Sequence, residues 1–382
     1  MIDILSAAGY TIYTEMAKPL LFRLPADSVH ESMVTSGAGL QQIPPLLSVM
    51  RQALRYDDPR LHTTVAGINF STPIGLSAGL DKDGKLARLM QAVGFGFVEI
   101  GSVTHQAYAG NPQPWYTRLP KSQSILVNAG LKSEGAAAVV RRMQQRYDSA
   151  FTDTFPLNVS VAKTNTLENC QPAEAVADYC ATLQLFVSAN VAQLYTLNIS
   201  CPNTFGGEPF TTPELLAELL DGVAKLHITK PVFIKLPIDK SWAATDKLLH
   251  TAARYDFVKG ITVGNLYKDR DNVQLQDPMP AGAGNFSGKP CWQASNDLLA
   301  RGYHAYGDRF AFSGVGGVFT AADAYQKIRL GASLVQMVTG LIFQGPAVVG
   351  RISKGLAELL EKDKYASVAE AVGADNPRTK GK

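Results

Sequence analysis

The sequence predicts a parallel (β/α)8 TIM barrel preceded by an N-terminal helical module. From about Thr72 onward, short apolar runs alternate with longer helical patterns, in the order strand, helix, strand throughout. Eight such runs occur, and eight strands are the number that closes a barrel. Polar, small or glycine-rich residues lie at or just after the end of each run, as expected where eight loops meet at one face of a barrel.

The predicted strands are residues 73–77, 96–100, 156–160, 194–198, 231–235, 257–263, 310–314 and 333–338. The helical patterns lie near residues 83–93, 134–147, 172–190, 214–227, 241–254, 293–303, 321–330 and 346–361. No GxGxxG follows the first strand and no GxxxxGK[ST] occurs, so the dinucleotide-binding and P-loop folds lack their sequence signatures.

The first 65 residues differ in pattern from the rest. Apolar residues recur there at roughly helical spacing, at Ile2, Leu5, Ala8, Ile12, Met16, Leu20 and Leu21. Pro25 and Asp27 open a second short helical stretch through Met33, and further prolines interrupt the segment between that stretch and residue 65. We therefore expect a helical module at residues 1–65, a barrel at 66–370 and a flexible tail at 371–382.

Composition excludes several classes of protein. A chain of 382 residues with 46% hydrophobic and 18% charged residues can bury a large core and is not disordered. A net charge of +3 without long basic blocks predicts no nucleic-acid partner. Four cysteines without CxxC spacing indicate a reducing compartment and no metal site. No apolar run reaches the roughly 18 residues of a membrane span, and no signal peptide is expected.

The polar clusters at the predicted strand ends are candidates for a binding site. They are Ser77–Lys82, Gly101-Ser102, Asn158, Asn198–Asn203, Lys235, Gly264-Asn265, Gly314–Gly317 and Thr339-Gly340. Glycine-rich loops after the last two strands suit a phosphate, although Gly314–Gly317 alone is equally consistent with a plain turn. Lys235 is either a cation beside a ligand or a lysine that leaves a strand for solvent.

Carboxamides and one thiol complete the candidate chemistry. Asn128, Asn198, Asn203 and Asn265 can donate and accept hydrogen bonds at once, as a planar imide-like ring requires, although single loop asparagines are mostly turn formers. Cys201 follows a predicted buried strand in a polar loop. Most lone cysteines are small buried hydrophobes, but a thiol with a free pKa of about 8.5 can remove a carbon-bound proton if its surroundings support the thiolate.

Together these segments resemble the dihydroorotate dehydrogenases, flavin enzymes of pyrimidine synthesis built on a β/α barrel. The resemblance covers nearly the whole chain and is carried by Ala78–Gly84, Gly94–Gly101, Asn198–Thr204, Gly314–Gly317 and Leu334–Gln336. It implies oxidation of dihydroorotate to orotate, in the pathway to UMP, with FMN as the cofactor.

The resemblance also implies roles for single residues. FMN would be held by Ala78, Gly79, Ser102, Asn158, Asn198, Lys235 and Gly264, with its phosphate at Gly288, Gly316, Gly317, Thr339 and Gly340. Dihydroorotate would contact Lys82, Asn128, Leu131, Asn198, Asn203 and Asn265. Cys201 matches the catalytic base that takes a proton from C5 while a hydride leaves C6 for the flavin. Lys235 would stabilise negative charge on the flavin.

The family divides into soluble enzymes with a cysteine base and membrane-associated, quinone-reducing enzymes with a serine base and an N-terminal helical module. This chain resembles the second class in residues 1–65 and the first at Cys201. The module implies a quinone acceptor and peripheral contact with the cytoplasmic side of the inner membrane. Trp115 replaces an expected arginine, Lys132 lies in a shortened loop, and Leu266 replaces an expected hydroxyl residue.

Three alternatives remain open at this stage. A soluble-type family member would pass electrons to fumarate or another acceptor. A dihydropyrimidine-reducing or related ene-reducing flavoprotein would use its cysteine as an acid. A flavin barrel that has lost catalysis would serve as a membrane-associated scaffold.

Overall fold

The computed structural model describes residues 2–378, with residues 2–5 described by their backbone alone. The strands, in chain order, are β1 Thr63–Val65, β2 Ile68–Phe70, β3 Ile74–Leu76, β4 Phe97–Val103, β5 Tyr116–Leu119, β6 Ser124–Val127, β7 Leu157–Val161, β8 Leu194–Asn198, β9 Val232–Leu236, β10 Val258–Val263, β11 Asn285–Phe286, β12 Ala311–Val315 and β13 Ala332–Met337.

The α-helices are α1 Ile2–Thr11, α2 Lys18–Leu21, α3 Ala26–Leu40, α4 Pro44–Leu54, α5 Ala87–Val93, α6 Ala136–Arg146, α7 Ser149–Thr152, α8 Pro172–Ala189, α9 Pro213–Ala224, α10 Trp242–Ala253, α11 Trp292–Tyr306, α12 Ala321–Arg329, α13 Thr339–Gln344, α14 Val348–Lys362 and α15 Val368–Ala371. A π-helical segment, Ile12–Ala17, joins α1 to α2.

Eight parallel strands form a closed barrel in the order β10-β12-β13-β3-β4-β7-β8-β9. Each of the eight predicted strands overlaps one of these, so the predicted fold class is confirmed. Helices follow the barrel strands and cover the outside, where their apolar faces join one large core. The carboxyl ends of all eight strands therefore meet at one face.

The inside of the barrel is apolar at the amino end of the strands and polar above it. Phe97, Phe233 and four other apolar residues form a plug at the bottom, two of them from the β1-β2 hairpin. Gly75 makes room for this plug, because an added Cβ would lie 2.1 Å from the Phe97 ring. Glu99 lies two residues after Phe97, so it points inward one layer higher, and it is fully buried. The plug closes one end and leaves the polar layer open toward the strand ends.

The N-terminal module is more extensively helical than the sequence predicted. Helix α3, which corresponds to the second predicted helical stretch, continues past Met33 to Leu40. A further helix that was not predicted, α4, begins at Pro44. Proline is well tolerated in the first turn of a helix, so the prolines expected to interrupt the chain instead start α4. The expected boundary at residue 65 falls inside the β1-β2 hairpin, which packs into the barrel, so the hairpin belongs with the barrel rather than with the module.

A small antiparallel sheet, which the sequence analysis missed, lies beside the barrel opening. It has the order β11-β6-β5, and Leu119, Leu126 and Phe286 form its core. β5 and β6 are joined by a short turn and pair over four residues each. Trp115 directly precedes β5 and Asn128 directly follows β6. The two residues lie side by side, because the Asn128 backbone N–H donates to the Trp115 carbonyl oxygen at 2.8 Å.

The expected flexible tail at 371–382 is held against the barrel as far as it is described. Ala371 is fully buried, Asp375 forms an ion pair with Arg329, and the Asn376 side chain donates to the carbonyl oxygens of Ala300 and Leu330. Residues 379–382 lie outside the described residues. Among residues 2–378, no helix combines the length and the apolar character needed to cross a membrane.

Candidate active site

A cleft opens at the carboxyl ends of β3, β9, β10, β12 and β13, and its space, together with the mouth that is open to solvent, amounts to about 490 Å³. Many of the residues expected to hold a cofactor line it: Ala78, Lys235, Gly264, Gly288, Gly316, Gly317, Thr339 and Gly340. Asn265 and Leu266 line it as well. Gly79 lies next to Ala78 in the loop after β3, outside the lining. The structure thus brings these distant predicted residues to one cavity.

Glycines form one end of the cleft because larger residues would not fit there. Gly288 has φ +77°, and an added Cβ would lie 2.2 Å from the carbonyl oxygen of Gln123. Gly316 has φ +99°, and its Cβ would lie 2.7 Å from the Cβ of Cys291. A wall of bare backbone lets a phosphate approach main-chain N–H groups closely.

Polar groups without protein partners form the middle of the cleft. Lys235 is the last residue but one of β9 and is 4% exposed, and no acceptor among the described residues receives a hydrogen bond from its ammonium. The side-chain oxygen of Gln336 is buried in the same wall and also lacks a partner. A buried donor or acceptor left unpaired is costly, so both groups point to a ligand with complementary polar edges.

A hydrogen-bonded chain joins the ends of four strands, β4, β7, β8 and β10, at the rim. The Asn198 amide donates to the Ser102 hydroxyl at 2.7 Å, and Ser102 lies 2.7 Å from the Ser160 hydroxyl. Asn265 donates to the backbone oxygen of Ser200 at 2.8 Å, and Ser200 in turn donates to the side-chain oxygen of Asn198. Two of the predicted carboxamides therefore lie together.

Asn158, which is also predicted to contact a cofactor, lies one layer below Ser160 on the same face of β7. Its amide and the hydroxyl of Thr196 bond to each other inside the barrel, and it does not line the cleft. Ser160, two residues later on the same face of β7, occupies the rim position. The alternation of β7 residues puts Asn158 and Ser160 on the same face, and of the two a serine carries the weaker sequence signal.

The remaining carboxamides converge on the loop after β8. Asn203 donates to the backbone oxygen of Val127 at 2.9 Å and accepts from Asn285 at 2.6 Å. Asn111 donates both to the side-chain oxygen of Asn128 and to the backbone oxygen of Asn203. Leu131, at φ +67°, lies half-buried in the same loop as Asn128. Asn111 and Asn285 are residues that the sequence analysis missed, because neither follows a barrel strand.

Cys201 is half-buried in that same loop, outside the lining of the glycine-walled cleft. Burial raises the pKa of its thiol to about 11, and the charge of Glu208 acts in the same direction. A backbone hydrogen bond from Asn203 and the ammonium groups of Lys163 and Lys235 lower that pKa. The free protein therefore holds a protonated thiol within electrostatic reach of buried cations.

Lys82 is a buried cation with an unpartnered ammonium. Burial lowers its pKa to about 8, while nearby acidic groups and the Cys201 thiol act in the opposite direction. Its Nζ lies 5.4 Å from the centre of the Tyr116 ring and 6.0 Å from that of Trp115. An unpaired buried ammonium near a thiol suits a substrate that carries a carboxylate.

The helical module packs directly against this side of the site. Asp27 of α3 accepts hydrogen bonds from the backbone N–H groups of Trp115 and Tyr116, at 2.9 and 3.0 Å. Trp115 removes the arginine expected there, but Lys132 lies 3.9 Å from the centre of its ring and pairs with Glu31 at 2.8 Å. Lys132 therefore supplies a cation between the module and the barrel, where the expected arginine is absent.

Comparison with known proteins gives a consistent family. The family model for dihydroorotate dehydrogenase matches residues 60–360. A Nocardia farcinica protein named "Dihydroorotate dehydrogenase (quinone)" is 35% identical over 363 residues, covering 94% of this chain and 95% of that protein. A Deinococcus deserti protein of the same name is 35% identical over 376 residues, covering 95% and 100% of the two.

A solved structure agrees in fold. The crystal structure of DHODH from Eimeria tenella in complex with ferulenol superposes with a TM-score of 0.82 at 24% identity, covering 93% of this chain and 98% of that one. At this identity the match bears on the fold alone.

Proposed function

This chain belongs to the dihydroorotate dehydrogenase family, and from that premise we propose that it oxidises dihydroorotate to orotate through a bound flavin, for pyrimidine biosynthesis. One juxtaposition carries the proposal. The Cys201 thiol is within electrostatic reach of two ammonium groups: that of Lys235, which lines the glycine-walled cleft, and that of Lys82, which is buried without a partner among the described residues. That arrangement provides places for a cofactor, a base and a carboxylate-bearing substrate within one site.

The flavin that we propose is FMN, and the lining of the cleft supports this choice. Its phosphate would be held by Gly288, Gly316, Gly317, Thr339 and Gly340. The glycines expose bare backbone there, so the phosphate can approach main-chain N–H groups closely. The unpartnered ammonium of Lys235 and side-chain oxygen of Gln336 would meet the polar edge of its ring. Ser102, Asn198 and Ser160 would lie at the ring's other side, with Asn158 one layer below Ser160.

The substrate would lie between the ring and the Cys201 loop. Lys82 would pair with its carboxylate, since that ammonium has no partner among the described residues. Asn128, Asn198, Asn203 and Asn265 would pair with the N–H and C=O groups of its ring. Their side chains are already held by protein hydrogen bonds, so little motion is needed to orient the substrate.

The chemical step removes two hydrogens from neighbouring carbons. Cys201, as the thiolate, takes the proton from C5; an S–H bond forms as the C5–H bond breaks, and the C5=C6 double bond of orotate develops. When bound, FMN supplies the two-electron acceptor for the hydride that leaves C6. The cation of Lys235 stabilises the negative charge that arrives with that hydride. The cations facing Cys201 favour the thiolate that the proton transfer requires.

A quinone is the proposed final acceptor, and the module would contact a membrane surface. Relatives that match nearly the whole chain, module included, carry the word quinone in their names. Eight of the eleven exposed large hydrophobic side chains among the described residues lie in the module: Ile12, Met16, Leu20, Leu24, Met33, Leu40, Ile43 and Val49. Such a concentration is typical of an interaction surface for lipid or protein.

Anaerobic titration tests the proposal. Purified protein should carry one FMN, and stoichiometric dihydroorotate should bleach it without oxygen. A flavin that dihydroorotate leaves oxidised would overturn the proposed reaction, and a protein without flavin would favour the scaffold alternative. Reoxidation should then be faster with a ubiquinone or menaquinone analogue than with fumarate or NAD. A preference for fumarate would contradict the quinone assignment alone.

A further inference from the structure

A buried lysine outside the cofactor cleft lies against the loop that carries Cys201. Lys163 follows β7 by two residues and is 3% exposed. Its ammonium donates to the backbone oxygen of Phe205 at 2.7 Å. Burial of a lysine at this depth is uncommon without a partner that uses its charge.

The same loop is held at a second point from the same segment. The side-chain oxygen of Asn165 accepts a hydrogen bond from the backbone N–H of Phe205 at 2.7 Å, and its amide donates to the backbone oxygen of Gly130 at 3.0 Å. Lys163 and Asn165 therefore clamp both backbone groups of one residue, four positions after Cys201. The clamp fixes the loop, but Asn165 adds no charge to it, whereas Lys163 does.

Among the described residues, the ammonium of Lys163 forms no ion pair with a carboxylate. Asp178 is the acidic group that faces it, and both of its oxygens accept hydrogen bonds from Thr164, at 2.8 and 2.6 Å. The one acceptor bonded to the ammonium among the described residues is a neutral carbonyl. Cys170 and Cys201 are the other titratable groups that face it.

Five titratable groups interact electrostatically with the Cys201 thiol: Lys82, Lys163, Lys235, Glu208 and Tyr179. Two of the three cations have another use, since Lys235 lines the cofactor cleft and Lys82 presents an unpartnered ammonium to the substrate side. Glu208 is paired with Lys268 at 2.7 Å. Lys163 is therefore the one of these three cations to which we have assigned no contact with cofactor or substrate, and its charge favours the thiolate of Cys201.

We propose that Lys163 is a positioning residue for Cys201: its ammonium anchors the loop at Phe205 and stabilises the negative charge on the sulfur when the thiol gives up its proton. This inference rests on the proposed role of Cys201 as the base. It explains how a thiol in a buried loop can be used as a base at all, because a nearby desolvated cation favours the thiolate strongly.

Thiolate titration of the full-length FMN-bound protein tests the inference. Iodoacetamide reacts with thiolates, so the alkylation rate of the Cys201 peptide against pH, read by mass spectrometry, reports the titration midpoint. Lys163→Met should raise that midpoint and slow alkylation about tenfold at pH 8, which corresponds to one pH unit. Lys163→Arg should restore most of the rate, because it keeps the charge.

Asn165→Ala is the matched control, since it breaks the other half of the clamp and leaves the cation in place. It should leave the midpoint unchanged. An unshifted midpoint in Lys163→Met, or an equal shift in Asn165→Ala, would overturn the proposal in favour of a purely structural role.

A second readout does not depend on access of the reagent. Thiolate absorbance near 240 nm, taken as the difference from Cys201→Ser at each pH, should give the same midpoints and the same order of variants. Neither titration uses dihydroorotate. Failure of dihydroorotate to bleach the flavin would therefore count against the proposed function, and the titrations would still decide the role of Lys163.

Discussion

The two sides of the site are built in different ways. The cofactor side, at β12, β13 and β3, is mostly backbone, with glycines wherever an added Cβ would strike another chain segment. The substrate side gathers buried charged groups from distant segments, including Lys82, Lys163 and the Asp27 carboxylate of the module. A site of this kind separates binding of the cofactor, which depends on shape, from control of protons, which depends on charge.

Removal of the thiol should have the largest effect and fall on the substrate side alone. In Cys201→Ala, reduction of the flavin by dihydroorotate should slow by about 100-fold to 10,000-fold, the usual contribution of a general base. FMN content should stay at the wild-type level, because Cys201 does not line the cleft. Anaerobic stopped-flow absorbance measures the rate, and Cys170→Ala, which removes a thiol from the neighbouring loop, is the control.

A methyl group on the cofactor side should produce the opposite pattern. Gly288→Ala forces alanine into a positive φ and places its Cβ 2.2 Å from a carbonyl oxygen, so FMN should bind roughly 100-fold more weakly. Fluorescence of released FMN measures this loss. Gly39→Ala, at a helix position with open space around it, should bind FMN as tightly as the wild type. Normal FMN affinity in Gly288→Ala would mean that the phosphate lies elsewhere.

Loss of the buried ammonium should weaken the substrate and spare the cofactor. In Lys82→Met, kcat/KM for dihydroorotate should fall roughly 10-fold to 30-fold, as expected when a charged hydrogen bond is lost. Lys85→Met removes the nearby lysine that pairs with Glu134 on the surface and should change kcat/KM little. Steady-state kinetics with a quinone analogue distinguish the two, and equal losses in both variants would contradict the assignment of Lys82.

Acid should loosen the contact between module and barrel. His30 lies 5.1 Å from the Tyr116 ring, and burial lowers its pKa to about 4, with Lys82 and Lys132 acting in the same direction and Glu31 opposing. The unfolded chain therefore binds more protons than the folded one between pH 6.5 and pH 4. The stability from this group is complete above pH 6.5 and is lost as the pH falls toward 4.

The expected loss is about 1 kcal/mol, because part of the ring meets solvent. Urea unfolding between about pH 4 and pH 7 measures it, and His30→Gln should flatten the slope. The exposed His62→Gln is the control. A slope that persists unchanged in His30→Gln would place the acid-sensitive group elsewhere.

The same division explains what could be predicted from the sequence. Strand periodicity and glycine clusters are local signals, so they predicted the eight barrel strands and the glycines at 316, 317 and 340, whereas Gly288 was predicted only through the resemblance to the family. Contacts across long separations carry no local signal. Asp27 and Trp115, for example, are 88 residues apart and neither follows a barrel strand.

Local signals also misled at particular residues. Asn158 has the more conspicuous side chain, but it lies one layer deeper than Ser160 on the same face of β7 and bonds to Thr196, whereas Ser160 bonds to Ser102 at the rim. Pro44 and Pro45 indicated a break, yet proline starts a helix as readily as it ends one. The β5-β6 hairpin was not predicted, because its two strands have only four residues each and lie outside the regular strand–helix order of the barrel.

The proposed proton transfer requires the Cys201 sulfur to lie close to C5 of the substrate ring. A crystal structure of the protein with FMN and orotate would measure this directly. We expect the sulfur within about 3.5 Å of C5, on the face of the ring opposite the flavin, with the Lys82 ammonium at the carboxylate. A sulfur turned away from C5, with another side chain in that position, would contradict the account.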